Sequence, residues 1–108
     1  MITFAEFKKA DIRIGTILSA EKVPEADRLI KLMVNLGEES PRQILSGIAE
    51  HYPDPSVLVG KQVPVLANLP TRVIRGLESQ GMVLYAVGEG FLTTVEPGRE
   101  IPPGTPVQ

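Results

Sequence analysis

Alternating apolar and polar residues in the first half of the chain predict three β-strands. From Asp11 to Val23, apolar side chains recur at nearly every second position, which is typical of a strand with one buried face. The same alternation returns from Leu29 to Leu36, and Arg42–Ser46 has the composition of a third strand. Gly15, near the start of the first strand, permits the sharp curvature that a small barrel demands.

Two apolar stretches in the second half predict two more strands. The fourth strand is expected at Lys61–Ala67 and the fifth at Met82–Val87. Pro64 lies within the fourth and cannot donate to a strand ladder, so it implies an edge strand or a bulge. Beyond the fifth strand, we expect Phe91–Val95 to pair back as a hairpin and the proline-rich tail Glu96–Gln108 to be extended.

The N-terminus carries a helix signal. Thr3 and Glu6 have the spacing of a capping box, which predicts a short helix from Phe4 to about Ala10. Phe4 and Phe7 are three residues apart and therefore share one face of this helix. Two interpretations remain open for them: they close the end of their own barrel, or they form a dimer interface with a second subunit.

The order of these elements is that of an oligonucleotide/oligosaccharide-binding (OB) barrel, an all-β fold of five strands. One helical turn is expected at Ile48–Tyr52, between the third and fourth strands, with Pro53-Asp54-Pro55 as its stop. A sandwich or another small barrel is the alternative. With 108 residues we expect one domain, in which 1–10 form the N-terminal helix, 11–87 the barrel and 88–108 the C-terminal hairpin and tail.

Charge and composition exclude several classes of function. The formal net charge of −2 argues against a protein coated in positive charge, so any binding of a polyanion must depend on a local patch. Cysteine is absent, which excludes disulfides and thiolate metal sites and fits a cytoplasmic protein. His51 is the only histidine, and no set of catalytic side chains is suggested, so we expect no catalytic residue, metal or cofactor. No apolar run approaches the roughly 20 residues that cross a bilayer.

The connection between the fourth and fifth strands, Asn68–Met82, carries the strongest candidate chemistry. It holds Arg72 and Arg75, together with a serine, an asparagine and two glycines. Guanidinium groups suit bidentate contacts with phosphate. As surface residues the two arginines could instead be solvated or paired with Glu78.

Six short motifs carry a resemblance to a known family. They are Asp11-Ile12-Arg13-Ile14-Gly15, Ala26-Asp27-Arg28-Leu29-Ile30-Lys31-Leu32, Leu45-Ser46-Gly47-Ile48, Leu58-Val59-Gly60-Lys61, Ala67-Asn68-Leu69 and Ser79-Gln80-Gly81-Met82. With these motifs in this order, the chain resembles the tRNA-binding domain found at the C-terminus of many methionyl-tRNA synthetases, in free-standing tRNA-binding proteins and in EMAP-II type cytokines. The resemblance covers nearly the whole chain, which makes it more specific than any single motif.

The resemblance implies an OB barrel that binds the surface of tRNA without reading much sequence. It also implies a homodimer joined through the N-terminal helix and C-terminal segments, and a methionyl-tRNA synthetase catalytic subunit as a further partner. Carried over by position, the RNA-binding residues are basic side chains on the barrel face, the polar and basic residues after the fourth strand, and a hydroxyl and thioether pair. These are Lys31, Arg42, Asn68, Arg72, Arg75, Ser79 and Met82.

Most of these candidates also have a structural interpretation. Lys31 could be an ordinary exposed strand lysine, and Arg42 could be neutralised by Glu38 and Glu39 in the adjacent acidic turn. Ser79 could bond the backbone of its own turn. Met82 could pack in the core instead of offering an apolar surface to an exposed base.

The chain departs from the family pattern in places. Many members carry Pro-Arg-Lys or Pro-Arg-Arg after the asparagine, whereas this chain has Pro70-Thr71-Arg72-Val73, so we expect weaker binding with a shallower salt dependence. The related CsaA-type chaperone proteins share the fold but differ at Leu45-Ser46-Gly47-Ile48 and Ser79-Gln80-Gly81-Met82, where this chain sides with the tRNA binders. A CsaA-type, protein-binding dimer remains the alternative function. The methionine at position 1 of this sequence hints at a separate chain instead of a domain cut from a synthetase.

Overall fold

The computed structural model describes all 108 residues, from Met1 to Gln108, and begins with the helix that the capping box predicts. Helix α1 spans Phe4–Phe7. Thr3 Oγ1 accepts a hydrogen bond from the Glu6 amide at 3.1 Å, and Glu6 Oε1 accepts one from the Thr3 amide at 3.0 Å. The helix is shorter than expected, and none of its residues is buried. No helix in the chain combines the length and apolar character needed to span a membrane.

Three antiparallel strands follow, as the alternation predicts: β1 (Ile12–Lys22), β2 (Ile30–Asn35) and β3 (Arg42–Ser46). Every second residue of β2 is buried, so one face of this strand lies against the core. The predicted bounds of β3 agree with the observed ones, and those of β1 and β2 differ by one residue at each end.

β1 bends so that it pairs with two different strands. The register between β1 and β2 shifts between Ile17 and Ser19, which makes Leu18 the extra residue of a β-bulge. Gly15 is buried, and a Cβ added there would lie 2.5 Å from Val34 Cγ1. The glycine is therefore needed for close packing of β1 against β2, in addition to any role in curvature.

Strand β4 (Gln62–Leu66) pairs with the first half of β1 and is preceded by a 3-10 turn at Pro55–Leu58. Asp54 caps this turn by accepting a hydrogen bond from the Ser56 amide at 3.1 Å. Proline suits the first position of such a turn because its missing N–H would have no partner there. One helical turn between the third and fourth strands is confirmed, but its expected position at Ile48–Tyr52 is wrong. The turn lies after these residues, and Pro55 begins it instead of ending it.

A small hairpin occupies part of the connection after β4. It consists of β5 (Arg72–Ile74) and β6 (Leu77–Ser79), paired in antiparallel fashion. The two turn residues, Arg75 and Gly76, have φ values of 53° and 78°, the positive values of a type I′ turn. The side chains of this segment are therefore held on a defined ribbon.

Three short strands complete the chain: β7 (Met82–Val83), β8 (Tyr85–Gly88) and β9 (Phe91–Thr94). The fifth strand of the sequence analysis is thus interrupted at Leu84, and the expected terminal hairpin forms between β8 and β9. The main sheet has the order β3-β2-β1-β4-β7.

Pro64 does not mark an edge strand, because β4 lies between β1 and β7. The Pro64 carbonyl accepts a hydrogen bond from the Leu84 amide at 3.0 Å, so its backbone faces the interruption between β7 and β8. The missing N–H of proline therefore removes no bond from the β1–β4 ladder.

Hydrogen bonds between β3 and the β6–β7 connection nearly close the sheet into a barrel. The backbone N–H of Gln80 donates to the backbone carbonyl of Gln43 at 2.8 Å. The side-chain Nε2 of Gln43 donates to the backbone carbonyl of Glu78 at 2.9 Å. Thirteen buried residues from both halves of the chain form one core inside this barrel. The predicted all-β, five-stranded OB class is confirmed.

The C-terminal tail runs alongside the first half of β1. The Gly104 amide donates to the Ile14 carbonyl at 2.7 Å, and the Val107 amide donates to the Ile12 carbonyl at 2.8 Å. The tail thus extends the sheet on the side of β1 that faces away from β4.

Candidate nucleic-acid interface

An open cleft of about 340 Å³ lies between β3, the β5–β6 hairpin and the segment from β7 to β9. This volume falls within the range of small-ligand sites. Most of its lining is apolar, with Leu45, Ile48, Leu69, Met82, Tyr85 and Leu92 among the wall residues. Polar groups reach it from Ser46, Arg72 and Ser79.

Arg72 and Arg75 present free positive charge beside this cleft. Both residues are exposed, and neither guanidinium lies within 4.0 Å of a carboxylate. Arg72 lines the cleft, and Arg75 occupies the turn of the β5–β6 hairpin. The pairing with Glu78 that the sequence left open does not occur. Both side chains are available for an anionic partner.

Arg75 holds an unusual backbone conformation. Its φ of 53° lies in the left-handed region, where a residue with a Cβ is strained. Asparagine or glycine would adopt this turn position more easily. An arginine at such a site costs stability, and it places a positive charge at the outermost point of the hairpin.

Ser79 is buried, so its hydroxyl is used inside the protein. The side-chain oxygen accepts a hydrogen bond from the Leu45 amide at 3.0 Å and donates one to the Gly81 carbonyl at 3.3 Å. The residue lines the cleft but is only 5% exposed. The structure therefore gives Ser79 a role in joining β6 to β3, and its contact with RNA stays a prediction.

Arg42 is engaged in internal contacts through all three of its nitrogens. Nε and Nη2 donate to the two carboxylate oxygens of Glu38 at 2.8 Å, and Nη1 donates to the carbonyls of Ala67 at 2.6 Å and Gln80 at 3.2 Å. The bond from Arg42 lowers the pKa of Glu38, although burial opposes this shift. Arg42 thus fastens β3 to the segments after β4 and β6, and its contact with RNA stays a prediction that these bonds do not favour.

Asn68 holds the segment that follows α1. Its Oδ1 accepts a hydrogen bond from the Asp11 amide at 2.9 Å, and its Nδ2 donates to the Lys9 carbonyl at 2.7 Å. The side chain therefore has a structural role that the sequence motif alone did not reveal. RNA contact by Asn68 stays a prediction that the structure does not favour.

Met82 is part of the lining of the cleft, whereas Lys31 is not. Lys31 pairs with Leu45 across the β2–β3 ladder, so both side chains project from the same face of the sheet. Its only carboxylate neighbour is Glu21, at 4.0 Å. Met82 is 43% exposed and lines the cleft, so it is not the core residue that the structural alternative required.

Two residues in the cleft form a hydroxyl pair. The Tyr85 hydroxyl donates to Ser46 Oγ at 3.0 Å. Burial raises the pKa of Tyr85 to about 12, although its hydrogen bond to Ser46 opposes this shift. The tyrosine is therefore neutral at physiological pH. The sequence does not reveal this pair, because only the folded chain brings Tyr85 on β8 to Ser46 on β3.

Six of the seven predicted RNA-binding residues, all except Lys31, fall into two groups. Arg72, Ser79 and Met82 line one cleft, with Arg75 on the adjoining hairpin. Arg42 and Asn68 are engaged in bonds that hold the barrel together.

A second apolar surface lies at the N-terminal end of β1. Phe4 is 73% exposed and Phe7 is 37% exposed, so neither closes the end of the barrel. They line a groove together with Ile12, Pro106 and Val107. The same Ile12, Pro106 and Val107 also line an adjoining apolar depression of about 520 Å³. Lys8 Nζ lies 5.2 Å from the centre of the Phe4 ring. This groove is formed by the N-terminal helix and the C-terminal tail together.

Comparison with known sequences shows the same family over almost the entire chain. Residues 12–106 match the family model described as "Putative tRNA binding domain". The methionine–tRNA ligase of Bacteroides fragilis is 49% identical over 108 residues, which cover 99% of this chain and 16% of that protein. The chain therefore spans about a sixth of the length of the curated relatives it matches.

Solved structures with the same architecture include proteins of two kinds. A MetRS related protein from Pyrococcus horikoshii superimposes with a TM-score of 0.91 and 34% identity, covering 100% of this chain and 98% of that chain. The chaperone CsaA from Bacillus anthracis gives a TM-score of 0.87 and 32% identity, covering 100% of this chain and 99% of that chain. Both similarities extend over the barrel and both terminal segments.

Proposed function

The chain belongs to the tRNA-binding domain family, and on that premise we propose that it is a non-enzymatic module that binds the surface of tRNA. The observation that carries the proposal is the pair of exposed arginines, Arg72 and Arg75, on a hairpin that borders a cleft. The whole segment 1–108 acts as one binding domain. The protein works in the cytoplasm, where it meets charged and uncharged tRNA.

Binding depends on a few cations held at fixed positions. Arg13 and Arg42 are both paired with carboxylates, so they contribute little to the field at the surface. Arg72 and Arg75 have no such partner and dock against phosphates, with Lys31 as a weaker third contact. Because the hairpin already fixes the arginine backbones, little conformational entropy is lost when the RNA binds.

The proposal is tested by titrating total tRNA with the wild-type chain and with a variant carrying Arg72→Ala and Arg75→Ala. We expect the variant to bind at least about tenfold more weakly near 50 mM salt, because each charged hydrogen bond to phosphate contributes about 1.5–3 kcal/mol. The slope of log affinity against log salt should become shallower by about 1 to 2.

The matched control removes the same amount of positive charge elsewhere. Lys9→Ala combined with Arg99→Ala changes two exposed cations in the terminal segments, outside the cleft. This control should bind tRNA nearly as well as the wild type. An equal loss of tRNA affinity in both variants would show that net charge alone governs binding. Unchanged tRNA affinity in the variant without Arg72 and Arg75 would refute the proposed binding site.

The relation to synthetases defines the biological setting. The curated relatives are methionine–tRNA ligases in which this chain corresponds to 16% of the length. The module therefore adds tRNA affinity either as an accessory part of a methionyl-tRNA synthetase or as a free-standing protein that associates with its catalytic subunit. It performs no chemical step itself.

The module acts as a homodimer joined through the groove that contains Phe4 and Phe7. Both phenylalanines are exposed beside the C-terminal tail, and the adjoining depression is almost entirely apolar. Contiguous apolar surface of this kind is typical of protein–protein contacts. Two copies would place two RNA-binding faces in one particle and raise the avidity for tRNA.

A CsaA-type, protein-binding function is the second candidate, favoured by the apolar lining of the cleft and by the similarity to the Bacillus anthracis chaperone CsaA. Binding of an apolar unfolded segment would respond little to salt, whereas tRNA binding should weaken steeply between about 50 mM and about 200 mM. Titrations of tRNA and of an unfolded polypeptide at these two concentrations separate the two functions.

A further inference from the structure

We propose that the cleft takes up a single unpaired nucleotide of the RNA, with its base between the apolar walls and its phosphate at Arg72. This inference depends on the RNA binding proposed above and specifies which part of the RNA the site holds. Shape and charge alone would let the protein contact any helical surface. An inserted nucleotide instead requires a bulge, a loop or a free end.

The walls of the cleft suit a flat, uncharged ring. Met82 and Leu69 are 43% and 38% exposed at its sides, so part of each apolar side chain is open to a ligand. Methionine is flexible and polarizable, so it adapts its shape to different rings. A base inside a duplex is covered by its neighbours, so only an unpaired nucleotide can enter.

The hydroxyl pair of Tyr85 and Ser46 gives the cleft a polar contact that does not select one base. Each hydroxyl can donate and accept, and its hydrogen rotates to suit the partner. The pair therefore meets either a donor or an acceptor on the edge of a base. Such a contact orients the ring without discriminating strongly among the four bases.

The charge at the rim favours a nucleotide over an apolar peptide. Arg72 lies directly across the β5–β6 ladder from Ser79, which places both side chains on the face that lines the cleft. Its guanidinium has no carboxylate within 4.0 Å. Lys31 stands beside Leu45 on the neighbouring strand pair. A base linked to a phosphate satisfies both the apolar walls and this positive rim.

Gly47 allows the cleft to be blocked without disturbing the fold. It is exposed, lines the cleft, and a Cβ built there meets no atom within 4 Å. Its backbone has no positive φ, so the Cβ of a larger residue meets neither backbone strain nor a neighbouring atom, and Gly47→Trp serves as the blocking variant. Gly98 is equally open and lies in the C-terminal tail outside the cleft, which makes Gly98→Trp the matched control.

The experiment compares two RNA hairpins of the same sequence, one fully paired in its stem and one with a single bulged 2-aminopurine. We expect the wild-type chain to bind the bulged hairpin about tenfold more tightly, which corresponds to the usual strength of one base-stacking contact. The fluorescence of the 2-aminopurine should change on binding. Gly47→Trp should remove this preference and keep the affinity for the paired hairpin, whereas Gly98→Trp should keep both.

Three results would overturn the inference. Equal wild-type affinity for the two hairpins, with tRNA binding still dependent on Arg72, refutes the nucleotide site and leaves the proposed function intact. If Gly47→Trp still prefers the bulged hairpin, the unpaired nucleotide does not bind in this cleft. Failure of the wild type to bind both the hairpins and tRNA refutes this inference together with the proposed function.

Discussion

The Ser79 hydroxyl oxygen lies 3.0 Å from the backbone nitrogen of Leu45 and accepts its hydrogen bond. Leu45 belongs to β3 and Ser79 to β6, so this bond links the barrel to the hairpin that carries Arg72. Both residues line the cleft, so the link holds two of its walls together. A serine that the sequence offered as a ligand for RNA is thus part of the framework that positions the other ligands.

Replacement of Ser79 should therefore cost stability. In Ser79→Ala the buried amide of Leu45 loses its acceptor, and a buried group left without a hydrogen bond costs about 1–3 kcal/mol. Urea unfolding should show a lower free energy of unfolding by this amount. Ser40→Ala, at an exposed serine in the turn before β3, should change it little. A Ser79 variant as stable as the wild type would show that the bond contributes nothing.

Stability should depend on pH through Glu38. The hydrogen bond from Arg42 lowers the pKa of Glu38 below its ordinary value of 4.5. A carboxylate with a lowered pKa in the folded state stabilises the fold above its unfolded pKa, and this contribution is lost as the pH falls through the folded value. We expect Glu38→Gln to be least stable relative to wild type at neutral pH, with the difference shrinking below pH 4.5.

The adjacent glutamate provides the control for this pH series. Glu39 is exposed and makes no ion pair within 4.0 Å, so Glu39→Gln should unfold like the wild type throughout. Urea unfolding at several pH values measures both variants. A constant difference between Glu38→Gln and the wild type across the range would contradict the assignment.

A substitution at the strained turn residue Arg75 should raise the stability of the hairpin and lower the affinity for tRNA. Asparagine tolerates a positive φ and Asn-Gly is favoured in type I′ turns, so Arg75→Asn should stabilise the hairpin by about 1 kcal/mol. Amide hydrogen exchange in β5 and β6 should slow accordingly, while tRNA affinity falls because the charge is lost. Arg75→Lys keeps both charge and strain, and should leave exchange unchanged. Faster exchange in Arg75→Asn would refute the strain.

The groove at α1 should govern assembly. Phe4→Ala together with Phe7→Ala removes the exposed rings, and we expect the dimer to dissociate at least about tenfold more readily, as for typical interface anchors. Analytical ultracentrifugation measures this change. Val73→Ala, at a residue that is 69% exposed on the β5–β6 hairpin, should leave the dimer unchanged. A wild-type chain that is monomeric at every accessible concentration would refute the proposed interface.

The sequence predicted the long strands well because their burial is one-sided. In β2 apolar residues alternate with polar ones because only one face of the strand packs against the core, and the predicted bounds are nearly correct. The β5–β6 hairpin was missed because strands of three residues are too short for such a pattern, and Arg75-Gly76 is not a usual turn pair.

The functional residues were predicted less well, since a motif does not show where a side chain points. Arg72 and Met82 lie at the cleft, and their contact with RNA stays a prediction. The bonds of Arg42 to two carbonyls and of Asn68 to the backbone at Lys9 connect segments distant in sequence. Only the folded chain brings those partners together. The sequence offered one hint, the acidic turn beside Arg42.

The tail beside β1 also protects the molecule from other chains. Gly104 and Val107 occupy the carbonyls of Ile14 and Ile12, on a side of the strand that neither β2 nor β4 covers. A strand with vacant peptide groups recruits extended segments from other polypeptides. Proteolytic trimming of the last few residues would therefore make the protein prone to aggregation while the barrel interior remained intact.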